Sequence, residues 1–167
     1  MERMTNATVI LGLDPGLRKT GWGVIAVEGS RLRWIAHGVV SPDDKAPFSE
    51  RLLALFEGVC AVVREHAPDE AAIEETFVNV NAASTLKLGH ARAAALLAPA
   101  QAGLPVAEYA PSEVKKAVVG TGGADKAQVA FMIRRLLPAC GNASADAADA
   151  LAVAVAHAHT RQSRRVA

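Results

Sequence analysis

The stretch TVILGLDPG, at residues 8–16, decides the fold prediction. Its apolar part has the length of a buried strand, and the Asp14-Pro15-Gly16 sequence that closes it is typical of a turn. Asp14 therefore stands at the end of a strand. Taken alone, this aspartate is explained most simply by turn chemistry, because Asp before Pro and Gly is a common turn combination.

The segments on either side of Gly29 and Ser30 predict an antiparallel start to the sheet. Residues 21–27 and 32–40 are both rich in apolar side chains, and the two small residues between them favour a hairpin. Apolar residues at helical spacing predict a helix over Phe48–His66, which Pro68 ends. A short fourth strand, Glu70–Glu74, follows.

The second half of the chain is predicted to hold four helices and one more strand. The helices are expected at residues 85–101, 111–119, 126–137 and 144–159, and the strand at 104–109, where Pro105 favours an edge position or a strand start. Ser144 is the expected N-cap of the last helix. This order predicts an α/β fold, with a mixed five-stranded sheet whose first three strands are antiparallel and helices on both faces. Residues 1–160 are expected to form one domain and 161–167 a short basic tail.

Length and composition exclude several classes of protein. The chain has 167 residues, of which 51% are hydrophobic, so it is not a disordered chain. Its apolar runs stop well short of the roughly 18 residues that a membrane span needs. Two cysteines are too few for a disulfide framework, and polar residues near the N-terminus argue against a signal peptide. We therefore expect a cytoplasmic protein.

The charges are distributed unevenly although the formal net charge is only +1. Residues 36–76 hold three basic and nine acidic side chains, whereas residues 77–135 hold seven basic and three acidic ones. This pattern allows a basic surface that meets an anion, and it equally allows an ordinary scatter of charges over solvated helix faces.

Three more carboxylates are candidates for a function, although a glutamate that closes an apolar strand, such as Glu74, usually lies at a solvated edge. Glu74 closes the fourth predicted strand, and Asp146 and Asp149 are three residues apart on a helix built almost entirely of Ala, Leu and Val. That spacing puts both aspartates on one helix face, where they repel each other and lose solvation. The helix dipole favours anions near the N-terminus, but it explains one of them more readily than two.

The four carboxylates, Asp14 among them, converge if the strand ends and the last helix meet at one edge of the fold. Oxygen ligands without a thiolate or histidine suit Mg²⁺ or Mn²⁺, and four are enough for the two ions of a phosphoryl-transfer site. The basic strip between Lys87 and Arg135 would then hold a phosphate backbone, with Lys87 and Arg92 as candidate DNA contacts.

Seven motifs in order along the chain resemble the RuvC Holliday-junction resolvases of bacteria. They are ILGLDPG (10–16), TGWGV (20–24), AIEETF (72–77), NAAS (81–84), LKLG (86–89), VKKAVVG (114–120) and ADAADAL (145–151). The resemblance covers about residues 9–159. It implies a ribonuclease-H-like fold, a homodimer, and paired, Mg²⁺-dependent nicking of four-way DNA junctions delivered by the RuvA–RuvB branch-migration complex.

The resemblance also assigns roles to single residues. It implies that Asp14, Glu74, Asp146 and Asp149 are the catalytic acids and metal ligands, holding two Mg²⁺ ions per subunit, for which Mn²⁺ can substitute. It implies that Phe77 stacks on a junction base, that Lys115 and Lys126 contact DNA, and that residues 86–97 form the dimer helix. Some resolvases of this kind use a histidine near the helix acids, but both positions are aspartate here.

Three other functions remain open on the sequence. Actin-like ATPases and sugar kinases share the Asp-x-Gly strand end, but they need two such domains. A nuclease of the YqgF type would act on structured RNA. A non-catalytic junction-binding relative would be expected to have lost an acid, and all four positions are filled.

Overall fold

In a computed structural model, which describes residues 6–76 and 80–165, the first strand lies at the centre of a five-stranded sheet. The strands are β1 (Thr8–Asp14), β2 (Thr20–Glu28), β3 (Arg31–Val40), β4 (Glu70–Glu74) and β5 (Val106–Tyr109), and their order is β3-β2-β1-β4-β5. β1, β2 and β3 pair antiparallel, whereas β4 and β5 run parallel to β1. The predicted mixed sheet is confirmed.

Helices cover both faces of this sheet, as expected. The helices are α1 (Phe48–His66), α2 (Ala82–Gln101), α3 (Pro111–Val119), α4 (Lys126–Leu136) and α5 (Ala145–Arg165). Side chains of β1 alternate between the two faces: Leu11 and Leu13 are buried under α1 and α2, while Ile10 is buried with α3, α4 and α5. The central strand thus contributes to two separate cores.

The structure differs from the sequence prediction mainly at helix ends. α2 begins three residues earlier than expected, because the side chain of Asn81 caps it by accepting a hydrogen bond from the Ser84 amide at 3.0 Å. α5 continues to Arg165 instead of ending near residue 159, so residues 161–165, expected in the basic tail, are helical. β5 is an edge strand that starts directly after Pro105. Among the residues that the structure describes, every helix is too short or too polar to cross a lipid bilayer.

A buried ion pair explains why α5 is longer than predicted. The Glu70 carboxylate accepts hydrogen bonds from His157 Nε2 at 2.7 Å and from Arg161 Nε at 3.0 Å. The Arg161 hydrogen bond, followed by that of His157, holds the pKa of Glu70 at about 2. Tyr109 OH lies 2.7 Å from His157 Nδ1 on the other side. These contacts fix the C-terminal half of α5 to the start of β4, at the end of the sheet opposite Asp14.

Two glycines allow the backbone of α5 to lie directly on the sheet. A Cβ atom at Gly12 in β1 would overlap the carbonyl oxygen of Ala150, and one at Gly21 in β2 would overlap the carbonyl oxygen of Asp146. Only glycine therefore leaves room for the helix at these two places. The close approach places the first turns of α5 over the end of β1.

We expect Gly12→Ala to lower the free energy of unfolding by about 1–3 kcal/mol, because the added methyl group meets helix backbone that cannot move without disturbing the core. Gly123→Ala is the matched control, since Gly123 is exposed and its nearest non-neighbouring atom is 3.9 Å from an added Cβ. That control should change stability by less than about 0.5 kcal/mol. Urea titration monitored by circular dichroism measures both, and equal stabilities of the two variants would contradict the packing described.

Candidate active site

Four acidic side chains from three elements meet at one edge of the sheet. Asp14 is the last residue of β1 and Glu74 the last of β4, and these strands are parallel neighbours, so both carboxylates emerge at the same edge. Asp146 and Asp149 lie in the first turns of α5, above that edge. All four line one cavity of about 410 Å³. The convergence predicted from the sequence is present in the structure.

Local hydrogen bonds fix where α5 begins. The Ser144 hydroxyl accepts a hydrogen bond from the Ala147 amide at 3.3 Å, as predicted for the N-cap. Asp146 therefore falls in the first turn, where the helix dipole partly offsets its charge. Asp149 lies one turn further along the same helix face, outside the first turn, so the helix dipole offsets its charge less.

Burial and mutual repulsion make this cluster costly in its ionised form. Burial, followed by the charges of Glu74, Asp149 and Asp146, raises the pKa of Asp14 to about 7. Burial and the charge of Asp149 also raise the pKa of Glu74. Burial raises the pKa of Asp149 as well, although Lys126 opposes the rise. The protein thus holds these acids close together at a cost to its own stability.

Two lysines at the cavity provide positive charge. Lys126 Nζ lies 3.7 Å from Asp149 Oδ2, and 86% of the Lys126 side chain is exposed. Lys115 is half-buried in the cavity wall, and its charge opposes the rise in the pKa of Glu74. Lys115 and Lys126 therefore occupy the positions expected of groups that meet a phosphate next to the acids.

The donor set fits hard divalent cations. Five carboxylates, those of the four acids and of Glu75, line the cavity, and its described lining holds no thiolate or imidazole. Oxygen donors of this kind prefer Mg²⁺ or Mn²⁺. In the described part of the chain, no three His, Cys, Asp or Glu side chains already stand in a ready-made metal-binding group. A divalent ion bound among the acids that line this cavity would reduce the repulsion between them.

Two other predicted DNA contacts, Lys87 and Arg92, do not line the cavity. Lys87 is exposed on α2. Arg92, also on α2, is half-buried, and its guanidinium forms an ion pair with Glu108. Phe77 lies outside the described residues, so its predicted stacking role stays a prediction.

Sequence reasoning missed Glu75 and Leu88, which both line the cavity. Glu75 directly follows Glu74, so its place in the motif was an available signal. Leu88 also stands in one of the motifs, LKLG, but the helical periodicity of α2 does not tell which of its turns reaches the end of β4.

The family model and the relatives that match this chain all point to the same family. The family model "Crossover junction endodeoxyribonuclease RuvC" matches residues 10–157. The chain is similar to the crossover junction endodeoxyribonuclease RuvC of Caulobacter vibrioides, with 70% identity over 161 residues that cover 96% of this chain and 95% of that protein. It is 61% identical to the protein of the same name from Azorhizobium caulinodans over 159 residues, covering 95% of this chain and 94% of the other.

Solved structures show the same fold. The structure described as T. thermophilus RuvC in complex with Holliday junction substrate has a TM-score of 0.87 and 35% identity, covering 94% of this chain and 96% of that one. The yeast mitochondrial Holliday junction resolvase Ydc2 has a TM-score of 0.65 at 12% identity, covering 99% of this chain and 85% of that one, which is a likeness of fold alone. The predicted ribonuclease-H-like fold is confirmed.

We expect Asp14→Asn to raise the free energy of unfolding by about 1–3 kcal/mol in a chelating buffer at pH 8, because one buried charge leaves a repulsive cluster. Adding Mg²⁺ should stabilise the unsubstituted protein more than the variant, since an ion that binds only the folded acids shifts the unfolding equilibrium. Asp44→Asn, at an exposed loop position, is the control and should behave like the unsubstituted protein. If the only role of Asp14 is to stabilise its turn, the Asp14→Asn variant will instead be less stable than the unsubstituted protein, both in the chelating buffer and with Mg²⁺ added.

Proposed function

The chain belongs to the RuvC family of crossover junction endodeoxyribonucleases, and we propose that it cuts four-way junctions by paired nicks at the Asp14, Glu74, Asp146 and Asp149 cluster. It is an endodeoxyribonuclease that resolves Holliday junctions in DNA recombination and repair. The single observation that supports this assignment of the active site is the meeting of the four acids in one cavity beside Lys115 and Lys126.

The acids are proposed to hold the divalent ions. Asp14 is central to the set, because the charges of the other three all act on it and raise its pKa. We propose two Mg²⁺ ions per subunit, with Mn²⁺ as a substitute. Bound there, such ions supply Lewis-acid stabilisation of a phosphoryl group and a water of lowered pKa.

The lysines are proposed to hold the phosphate backbone. Lys115 is half-buried against the acids, where it offsets part of their charge as a phosphate approaches. Lys126 is exposed and follows the Gly122-Gly123 loop, so its long side chain can exchange Asp149 for a phosphate oxygen. Lys87, on α2, is proposed to contact the phosphate backbone outside the cavity. Phe77 is proposed to stack on a base at the junction.

Two alternatives are less well supported. A non-catalytic junction-binding relative has no need for four mutually repelling acids in one cavity, and the cost of holding them argues for catalysis. A nuclease of the YqgF type acting on structured RNA shares the acids, so the substrate itself must distinguish it. The similarity over nearly the whole chain favours a DNA junction.

A homodimer is proposed because one chain offers one set of acids and a junction needs two symmetrical cuts. α2 presents an apolar surface to solvent, with Leu86 65% exposed and Leu97 58% exposed. An added Cβ at Gly89, between them, would meet no atom within 4 Å, so this surface is open. A two-fold axis along this helix would bury the same patch of each subunit. We propose that the RuvA–RuvB complex delivers the junction to this dimer in the cytoplasm.

We expect Asp14→Asn to reduce the single-turnover rate of junction cleavage by a hundredfold or more, since loss of a ligand removes several kcal/mol of transition-state stabilisation. The dissociation constant for the junction should stay the same or fall slightly, because the lysines are intact and one anion is gone. Cleavage of a four-way DNA junction, the matching DNA duplex and a structured RNA is measured in parallel, with gel-shift titrations of each.

The control for this experiment is Asp44→Asn, which should cut like the unsubstituted protein. A folded Asp14→Asn variant that cuts at the unsubstituted rate would overturn the active-site assignment. Faster cleavage of structured RNA than of the junction would favour the YqgF-type alternative.

We expect Leu86→Glu to convert the dimer to a monomer, because two carboxylates would meet across the proposed two-fold axis. Phe131→Glu is the matched control: Phe131 is 52% exposed on α4, on the opposite face of the sheet. Sedimentation velocity at micromolar concentration distinguishes the two states. A monomeric unsubstituted protein, or a dimer that Leu86→Glu leaves intact, would count against this interface.

A further inference from the structure

We propose that Arg92 is a positioning residue that fixes the direction of Glu74, and that it does not contact the DNA backbone as the charge pattern suggests. The inference rests on the proposed function, in which Glu74 holds a divalent ion. It concerns the end of β4, where the chain leaves the sheet between the active site and α2.

Arg92 connects three elements through one guanidinium. Its side chain, on α2, is only 18% exposed. Nε donates a hydrogen bond to the backbone carbonyl oxygen of Glu74 at 3.4 Å, and Nη2 forms an ion pair with the carboxylate of Glu108 on β5. Glu108 pairs in register with Ile73, the residue before Glu74. The guanidinium thus lies across the ends of β4 and β5.

The peptide group that follows Glu74 is held at both of its polar ends. Its carbonyl oxygen accepts from Arg92, and its amide, that of Glu75, donates to the backbone oxygen of Tyr109 at 2.8 Å. A peptide group restrained at both ends fixes the backbone angle ψ of Glu74, and together with the β4–β5 pairing before it this sets the direction of the Glu74 Cβ atom. β5 has only four residues and lies at the sheet edge, so strand pairing alone restrains this corner weakly.

The same contacts argue against a role for Arg92 in binding DNA. Its charge is compensated by Glu108, whose side chain is 48% exposed, and a phosphate would have to replace that carboxylate on a guanidinium whose own side chain is only 18% exposed. Lys87, five residues earlier on α2, is exposed, as a side chain that meets a phosphate has to be. A guanidinium holds its Nε and Nη donors on separate atoms in one rigid plane, whereas a lysine ammonium has three donors on a single rotatable nitrogen, so the residue type matches the positioning role.

The test compares Arg92→Lys and Arg92→Ala with the unsubstituted protein. A positioning role predicts that both reduce the single-turnover cleavage rate, by about tenfold to a hundredfold, because a carboxylate displaced by an ångström is a poor ligand. Both should raise the Mg²⁺ concentration that gives the half-maximal rate. Junction affinity without divalent ions, and its dependence on salt, should not change.

A phosphate contact predicts the reverse pattern. Arg92→Ala would then weaken junction binding and reduce the slope of affinity against salt by about one unit, while cutting at the normal rate when the junction is saturated. Arg92→Lys would keep both binding and cleavage, because the charge is retained. Either result would overturn the proposal.

Glu108→Ala gives a second, independent arm, which decides the question if Arg92→Ala fails to fold. Loss of the ion pair frees the guanidinium, so positioning predicts slower cleavage with unchanged binding. If Arg92 contacts DNA, removing its competing acid predicts tighter binding and cleavage that is not slowed. Glu57→Ala, which removes an exposed acid on α1, is the charge-matched control and should resemble the unsubstituted protein.

Glu74→Gln separates this proposal from the function on which it rests. If Glu74→Gln abolishes cleavage and the Arg92 and Glu108 variants cut normally, the positioning role is wrong and the active site stands. If Glu74→Gln itself cuts at the unsubstituted rate, the metal-site assignment fails and the positioning role fails with it.

Discussion

The direct contact between the backbone of α5 and the strands β1 and β2 is the constraint on which the rest of the structure depends. Glycine at positions 12 and 21 removes the side chains that would hold the helix away, and the Ala-rich face of the helix fills the space. If the helix were raised by one side-chain layer, Asp146 and Asp149 would lie too far from Asp14 to share its cavity. The active site is therefore a consequence of packing as much as of its own residues.

The protein separates the part that stabilises it from the part that is used in the reaction. At one end of the sheet, four carboxylates repel one another, and burial makes their charges more costly. At the other end, Glu70 forms a hydrogen-bonded ion pair with Arg161 and a further hydrogen bond with His157. α5 links the two ends, so a well-anchored C-terminal half holds the N-terminal turns against the repulsion of the acids. Two apolar cores, one on each face of the sheet, support the same arrangement.

Local patterns were sufficient to predict most of the fold. The bounds of β1, β4 and α1 follow from runs of apolar residues and from prolines, which act within a few positions along the chain. The four acids were also predictable as a set: Asp14 alone is explained by its turn, but two aspartates on one face of an apolar helix are unusual, and the strand ends can meet that helix at one edge of the fold. The pairing of Arg92 with Glu108 was not, because it joins a helix to a strand 16 residues away, and no periodicity reports such a contact. The length of α5 was missed for the same reason: Arg161 is held by Glu70, 91 residues earlier.

The central claim is that acids from β1, β4 and α5 form one binding site for divalent ions. Paramagnetic broadening of amide resonances by substoichiometric Mn²⁺ tests it directly, because the effect is strongest close to the ion and reports position without any need for turnover. The account predicts that the amides of Asp14, Glu74 and Asp149 broaden first and together, while those of Glu70 and His157 at the far end of the sheet stay sharp. Broadening that begins elsewhere, or that affects Asp14 without Glu74 and Asp149, would contradict a single site built from the three elements.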